Sequence, residues 1–513
     1  MQPCVDDTSP MRILIMAAEM APLARTGQVA DVVSSLARTL AALGHDVRVA
    51  MPRYDRIAAD RFALKPLLPD LAVPVDEHHE LVTIHSTSLA PGVPVYLVGS
   101  PKYFGQQVTS MYTDDADPFV LYCRAAIEML KRPELDWQPD VIHCHDWQTA
   151  IVPNWLATIY RDDPFFAATA AILTIHRLSQ QGIFGYRVLE VAGIKEYGFI
   201  YHAALADLSE LVDLLGRGIY YADAITTVSE RYAQDIQTPE YGERLDALLR
   251  ERSDRLYGIR NGIDTTAYDP SSDPSIAARY DLTSLERRRP NKGALQRLFA
   301  LEEDARAPLI GMVSRLNDAK GFDLLGEILE SLIVHLGVQF AILGVGEPKY
   351  HDLLTSCAVK FPGRVGVRLT FDEITERQIY AGSDLFLMPS RVEPCGLGHM
   401  LAMRYGSVPV VRATGGLADT VEDYDPCLGR GNGFSFLPYD ATALYTALVR
   451  AIEIYKHQDL WRTLQERCMK ADFSWRRPAL RYLEVYRQAQ RNRRNRPDAR
   501  YDQGAGGMFP IVP

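Results

Sequence analysis

The sequence predicts an α/β protein made of two doubly wound, Rossmann-like domains facing each other across a cleft. Two observations carry this. Each half of the chain opens with an apolar strand pattern, a loop, an amphipathic helix and a second strand, the parallel βαβ unit. Each half also holds one copy of the pattern T-G-x-x-A-D, at residues 26–31 and 414–419. A stretch rich in Pro, Ser, Asp and Arg at residues 269–292 reads as the linker region between the halves.

In the first half, residues 12–18 give a buried-strand signal, with an unbroken apolar run after Arg12, as expected of a strand buried on both faces. Val32, Leu36, Leu40 and Leu43 recur on one helical face, and Gly44 ends that helix. Residues 46–51, 94–98, 141–143, 171–175 and 224–228 supply further strands. The second half repeats the style. Residues 309–313 are a strand, Leu324, Leu325, Ile328 and Leu332 line a helix, and residues 338–343, 385–388 and 408–411 are strands. In such sheets ligands sit beyond the carboxyl ends of the strands. The two T-G-x-x-A-D loops follow strands near helix starts, where glycine lets backbone N–H groups approach an anion. They read either as a phosphate or sugar clasp between domains or as tight strand-to-helix turns.

The bulk numbers fit this picture. A chain of 513 residues accommodates two large domains. Its 47% hydrophobic and 23% charged residues are ordinary for a globular protein. A net charge of −10 disfavours nucleic acid and anionic membrane as partners, so an anionic substrate must be held by local cations. No apolar run reaches the ~20 residues that span a bilayer. The seven cysteines, Cys4, Cys123, Cys144, Cys357, Cys395, Cys427 and Cys468, contain no C-x-x-C pair, which argues against a disulfide framework or structural zinc. Residues 1–10 are polar and acidic and read as a leader rather than a secretory signal. The expected location is the cytoplasm. Arg491, Arg493, Arg494 and Arg496 read as a solvated basic tail.

Several stretches, in one order, carry a resemblance. They include residues 18–23, His143-Cys144-His145-Asp146-Trp147, Thr174-Ile175-His176, Asn261-Gly262-Ile263-Asp264, Ser314-Arg315-Leu316, Lys320-Gly321, Glu393-Pro394-Cys395-Gly396-Leu397, Thr414 to Val421 and Asp472-Phe473-Ser474-Trp475. Over about residues 11–486 the chain resembles the bacterial glycogen synthases, ADP-glucose-dependent α-1,4-glucan synthases with the GT-B fold. The resemblance implies an acceptor-side domain at 11–258 and a donor-side domain at 259–486, with the last helix crossing back and a basic tail at 487–513. It also implies transfer of glucose from ADP-glucose to the non-reducing end of an α-1,4-glucan (glycogen or a maltooligosaccharide), with retention. No cofactor or metal is expected, and no Asp or His cluster shows convincing ligand spacing.

The chemistry needs fixed positive charge aimed at a departing diphosphate in a water-poor cleft. Arg315 and Lys320, on the loop after strand 309–313, meet that need, and by resemblance form the diphosphate clamp. The resemblance makes Glu393 the donor-side carboxylate at the transferred glucose, and brings His176 to the same sugar as a positioning group. It assigns Phe371 to adenine stacking, for which core packing is an equal alternative. It places Arg25, Gly27, Gln28, Asp31, Cys395, Gly396, Leu397, Thr414 and Gly415 around the donor. His145, Asp146 and Asn261 fall on the acceptor side, with His145 and Asp146 alternatively structural.

Departures cluster at the cleft. The family's Lys-x-Gly-Gly-Leu loop reads Arg25-Thr26-Gly27-Gln28-Val29, so Gln28 puts a side chain where backbone should approach phosphate and would resist a positive φ. His-Asp-Trp-His ends in Gln148, His-Asn begins His176-Arg177, and Gly398, His399 and Leu401 replace polar, Gln and Tyr residues. Three readings stay open: a synthase with tolerated substitutions, a divergent paralogue using another nucleotide sugar or acceptor, or a catalytically weak glucan-binding protein.

Overall fold

The computed structural model describes residues 9–105, 115–197 and 211–495. Residues 1–8, most of the expected leader and including Cys4, lie outside the described residues, as do Arg496 and the chain beyond it. In chain order the strands are β1 Arg12–Met16, β2 Asp46–Pro52, β3 Lys65–Val75, β4 His78–Ala90, β5 Val93–Gly99, β6 Val141–His145, β7 Ala170–Ile175, β8 Ile183–Gly185, β9 Leu211–Asp213, β10 Ala224–Thr227, β11 Leu256–Gly258, β12 Leu309–Val313, β13 Gln339–Leu343, β14 Val365–Arg368, β15 Leu385–Met388, β16 Val408–Arg412 and β17 Phe434–Phe436.

They build two large sheets. The first runs β11-β10-β7-β6-β1-β2-β5-β4-β3, and the second β14-β13-β12-β15-β16-β17. The second is parallel throughout; the first turns antiparallel at β5-β4-β3. Central strands are buried on both faces, which is why β12 and β15 read as continuous apolar runs and β1 and β7 nearly so. Strand order reverses beside β1 in the first sheet and beside β12 in the second. The crevices at these switch points open onto the loops after β1, β6, β12 and β15, where the candidate residues stand.

The helix Gln28–Ala42 buries Val32, Val33, Leu36 and Leu40, and Gly44 follows it at φ +94°. Three features depart from expectation. The hairpin β3–β4 was not visible in sequence because Pro66, Pro69 and Pro74 interrupt β3; an edge strand with bulged pairing tolerates them. Residues 269–292 are no loose linker. Arg288 donates to the backbone carbonyls of Tyr405, Tyr380 and Ser383, and buried Lys292 pairs with Asp384 at 2.7 Å and donates to the Ala307 carbonyl at 2.7 Å. These polar side chains anchor the segment to the second domain.

Third, the last helix, Arg476–Arg494, runs eight residues past the expected domain end and lies on the first sheet. Tyr482, Tyr486 and Ala489 are fully buried there. The Tyr486 hydroxyl meets His143 Nδ1 at 2.8 Å, Asn492 donates to the Asp223 carbonyl at 2.8 Å, and Arg493 to the Leu156 carbonyl at 3.1 Å. Arg493 is thus a docking residue, not part of a solvated tail. Among the described residues no helix is long and apolar enough to cross a membrane, and no group of side chains could hold a metal ion.

Tyr486→Phe leaves buried His143 Nδ1 unpaired. It is expected to cost about 1–3 kcal/mol, read as a lower urea midpoint for the first domain with the native fold retained.

Candidate active site

The floor of the cleft is a histidine ladder at the ends of β6 and β7. His145 Nδ1 lies 2.8 Å from His176 Nε2, with the rings stacked at 5.1 Å. His143 sits beneath, its ring 4.2 Å from that of His145, with Nε2 2.6 Å from Thr174 Oγ1. Burial pushes the His143 pKa down to about 3 and holds His145 well below the usual value. Burial also lowers His176, partly offset by the carboxylates of Asp146 and Glu19. Asp146 adopts φ +58° where the chain leaves β6, and its carboxylate accepts the His176 backbone N–H at 2.8 Å. Asp146 therefore fixes the end of β7. His145, only 1% exposed, lies under His176 and presents no surface to an acceptor. The structural alternative for this dipeptide is the one the geometry favours.

Across the cleft, Glu393 follows β15 and is 3% exposed. Lys320 Nζ donates to its Oε2, and Ser390 Oγ donates to the same oxygen at 3.0 Å. Burial opposes ionisation of Glu393. The charge and hydrogen bond of Lys320, the bond from Ser390 and the charge of Arg177 outweigh it, so the carboxyl stays below its ordinary value. Arg177 belongs to the His176 loop, so its effect on Glu393 shows the two loops facing each other. The backbone behind Glu393 is locked by glycines. A Cβ on Gly415, at φ +44°, would stand 2.2 Å from the Glu393 carbonyl, and one on Gly416 2.0 Å from the Cys395 carbonyl. Gly396, Leu397 and Thr414 complete this packed turn. Burial pushes the Cys395 thiol up to about 12 against the opposing hydrogen bonds from Asn261, which rules out a thiolate nucleophile at neutral pH. Asn261 is buried against Cys395.

The glycine loops do not wait empty for an anion. Glu19 Oε2 accepts the backbone N–H groups of Thr26 at 2.7 Å and Gly27 at 3.1 Å. In the second loop, Gly415 N–H points at Asp235 Oδ2, 3.3 Å away, and Gly416 N–H at the Glu393 and Pro394 carbonyls. The motif aspartates fasten structure too. Asp31 pairs with Arg25 at 2.8 Å, and Asp419 crosses to the first domain, accepting from Ser229 Oγ at 2.6 Å and the Arg231 N–H at 3.1 Å. Arg25 also bridges the cleft to Glu373. Exposed pairs of this kind are worth about 0–1 kcal/mol, so Arg25 is easily released to a stronger anion. Gly27 is extended, and Gln28 begins the helix with no positive φ, so the conformational objection to Gln28 falls away.

Phe371 is 57% exposed between β14 and the next helix, so it is not a core residue. Arg315 projects from the loop after β12 and is exposed, with no ion pair among the described residues. The sequence reading missed Ser390, Glu19, Asp235 and the charge of Arg177 as parts of this site. Ser390 lies three residues before Glu393, at the end of a strand, a spacing that could have flagged it.

The Lys320–Glu393 pair dictates a pH signature. The depressed Glu393 pKa adds stability above the ordinary carboxylate range, and this is lost as pH falls through the folded value. In Lys320→Met burial is opposed only by the bond from Ser390 and the charge of Arg177, so the carboxyl pKa rises and the stability that ionised Glu393 contributes at neutral pH is lost. The variant is expected to converge on wild type only as pH falls through the depressed Glu393 value, and to be about 3–5 kcal/mol less stable at pH 7, measured by urea unfolding across pH.

Residues 12–251 match the starch synthase catalytic domain family, and residues 307–453 the glycosyl transferases group 1 family. The chain is 43% identical over 495 residues to the glycogen synthase of Desulforudis audaxviator, covering 94% of this chain and 97% of that one. It is 45% identical over 488 residues to that of Moorella thermoacetica, covering 94% and 98%. Among solved structures, the catalytic domain of starch synthase IV from Arabidopsis thaliana, bound to ADP and acarbose, superposes with a TM-score of 0.85 at 33% identity, covering 94% of this chain and all of that one. Two facing Rossmann-like domains, a lysine-held carboxylate at their junction and this likeness over nearly the whole chain lead to one assignment: the protein belongs to the glycogen and starch synthase family of GT-B glycosyltransferases.

Proposed function

We propose that the protein transfers glucose from ADP-glucose to the non-reducing end of an α-1,4-glucan, glycogen or a maltooligosaccharide, with retention at the anomeric carbon. The observation that carries this reading is Glu393, buried yet kept ionised by Lys320, opposite His176 and Arg177. A fixed carboxylate in a desolvated cleft favours the positive charge that develops on the sugar as its bond to the diphosphate breaks. The diphosphate carries two negative charges in the donor and gains a third as it leaves, and these must be neutralised. Lys320, the unpaired Arg315 and the releasable Arg25 supply cations at the ends of β12 and β1. This scheme uses side chains in place of a metal or other cofactor. His176 positions the sugar, and the exposed face of Phe371 takes the adenine.

The substitutions at Arg25 and Gln28 are compatible with turnover, because the first keeps its charge and the second sits in ordinary helical backbone. All six described cysteines are unpaired, as suits the reducing cytoplasm where we place the reaction.

The purified protein is expected to release ADP from ADP-glucose only when glycogen is present, at a rate unchanged by EDTA, and Glu393→Gln to lower kcat about 10²–10³-fold. ADP release without glucan, turnover of UDP-glucose alone, or silence with both donors would overturn the assignment. Phe371→Ala is expected to raise the donor KM roughly ten- to hundredfold, from the loss of one stacked base, while glucan affinity in a pull-down on glycogen stays constant.

A further inference from the structure

We propose that His145 is a positioning residue that sets the tautomer of His176, donating from its Nδ1 to His176 Nε2 so that His176 offers its own proton on Nδ1 to the sugar. The second half of this statement rests on the reading that His176 meets the transferred glucose.

The argument begins with one proton. The two nitrogens are 2.8 Å apart, so one must donate and the other accept. Both rings are held neutral by burial, His145 strongly. A single proton therefore lies between them, and its owner fixes both rings. If His176 Nε2 owned it, His145 would have to carry its other proton on Nε2. That atom is buried and no group accepts from it. An orphaned buried N–H is among the rarest defects in folded proteins, and a bare acceptor is tolerated better. Placing the proton on His145 Nδ1 leaves only a lone pair at Nε2. His176 Nε2 is then the acceptor and its Nδ1 must be protonated. Among the described residues nothing else pairs with His176 Nδ1, and the side chain is half-buried at the cleft, which leaves that N–H for a ligand hydroxyl.

The ladder below keeps His145 in this orientation. His143 uses both nitrogens, one on Thr174 Oγ1 at 2.6 Å and the other on the Tyr486 hydroxyl at 2.8 Å. It cannot turn to serve His145 Nε2 without surrendering one of these bonds. The His143 ring, tilted 37° to that of His145 at 4.2 Å, blocks rotation from below. Asp146 holds the His176 backbone and leaves its ring to His145. The two residues of the His145-Asp146 dipeptide thus divide the work: one holds the main chain of His176, the other its protonation pattern.

The test is the long-range nitrogen–proton spectrum of the full-length protein with ¹⁵N-labelled histidine, at pH 7.5 without substrate. His176 is identified by the signals lost in His176→Asn. The expected pattern is protonated Nδ1 and bare Nε2 on His176; a protonated Nε2 overturns the proposal without any variant. In His145→Leu the Nδ1–H form of His176 is expected to lose its dominance, and kcat to fall about tenfold or more with donor KM changed far less, since the loss is one oriented hydrogen bond. His145→Asn, whose amide nitrogen replaces Nδ1, is expected to recover the Nδ1–H form and most of kcat. An unchanged His176 pattern in His145→Leu overturns the role of His145. Unchanged kcat and KM in His176→Ala would overturn the contact with the sugar, whereas the wild-type spectrum decides the tautomer independently.

Discussion

A carboxylate taken out of water must be compensated where it stands, and the active cleft is arranged around that constraint. Glu393 is buried more completely than an isolated ion tolerates. Lys320 and Ser390 converge on one oxygen, while the glycines at 415 and 416 let a second backbone segment close behind it. Each element comes from a different strand end: Lys320 after β12, Ser390 and Glu393 after β15, Gly415 after β16. The parallel sheet brings all three loops to one edge, so the fold's topology is what allows the charge to be buried ready for use.

The same economy of anions governs the junction of the two domains. Glu19, Asp235 and Asp419 accept hydrogen bonds from backbone and hydroxyl donors of the two loops and of the first domain. The pattern T-G-x-x-A-D is therefore a fastening element, because its glycines and aspartates serve turns and domain crossings. Arg25 belongs to this set as a weak surface pair across the cleft.

Much of this was legible in the sequence, for reasons that differ by element. Strands such as β12 and β15 are buried on both faces, so their apolar runs mark them to the residue. The hairpin β3–β4 is an edge element carrying prolines, and its alternation is broken by bulges, so periodicity says little about it. Residues 269–292 look like a linker because polar residues dominate, yet Arg288 and Lys292 are buried hydrogen-bond anchors, a role composition does not encode. At the site, motif residues with their own chemistry, Glu393, Lys320 and His176, could be named beforehand. The pairing of His145 under His176, and of Glu19 with a turn eight residues on, depends on how loops pack and has no local signature. Gln28 looked disruptive only while its backbone conformation was unknown; it is a helix-opening residue.

The crossing helix Arg476–Arg494 has a consequence for how the protein is made. It completes the layer over β7 and β10 and supplies the hydroxyl that satisfies His143, yet it leaves the ribosome only after the whole second domain. At about 5–20 residues per second, the first sheet waits roughly 10–50 seconds after β11 emerges before its covering arrives. Throughout that interval the groove for Tyr482, Tyr486 and Ala489 is open apolar surface on a nascent chain. The first domain can thus complete its own outer layer only after the second has been translated.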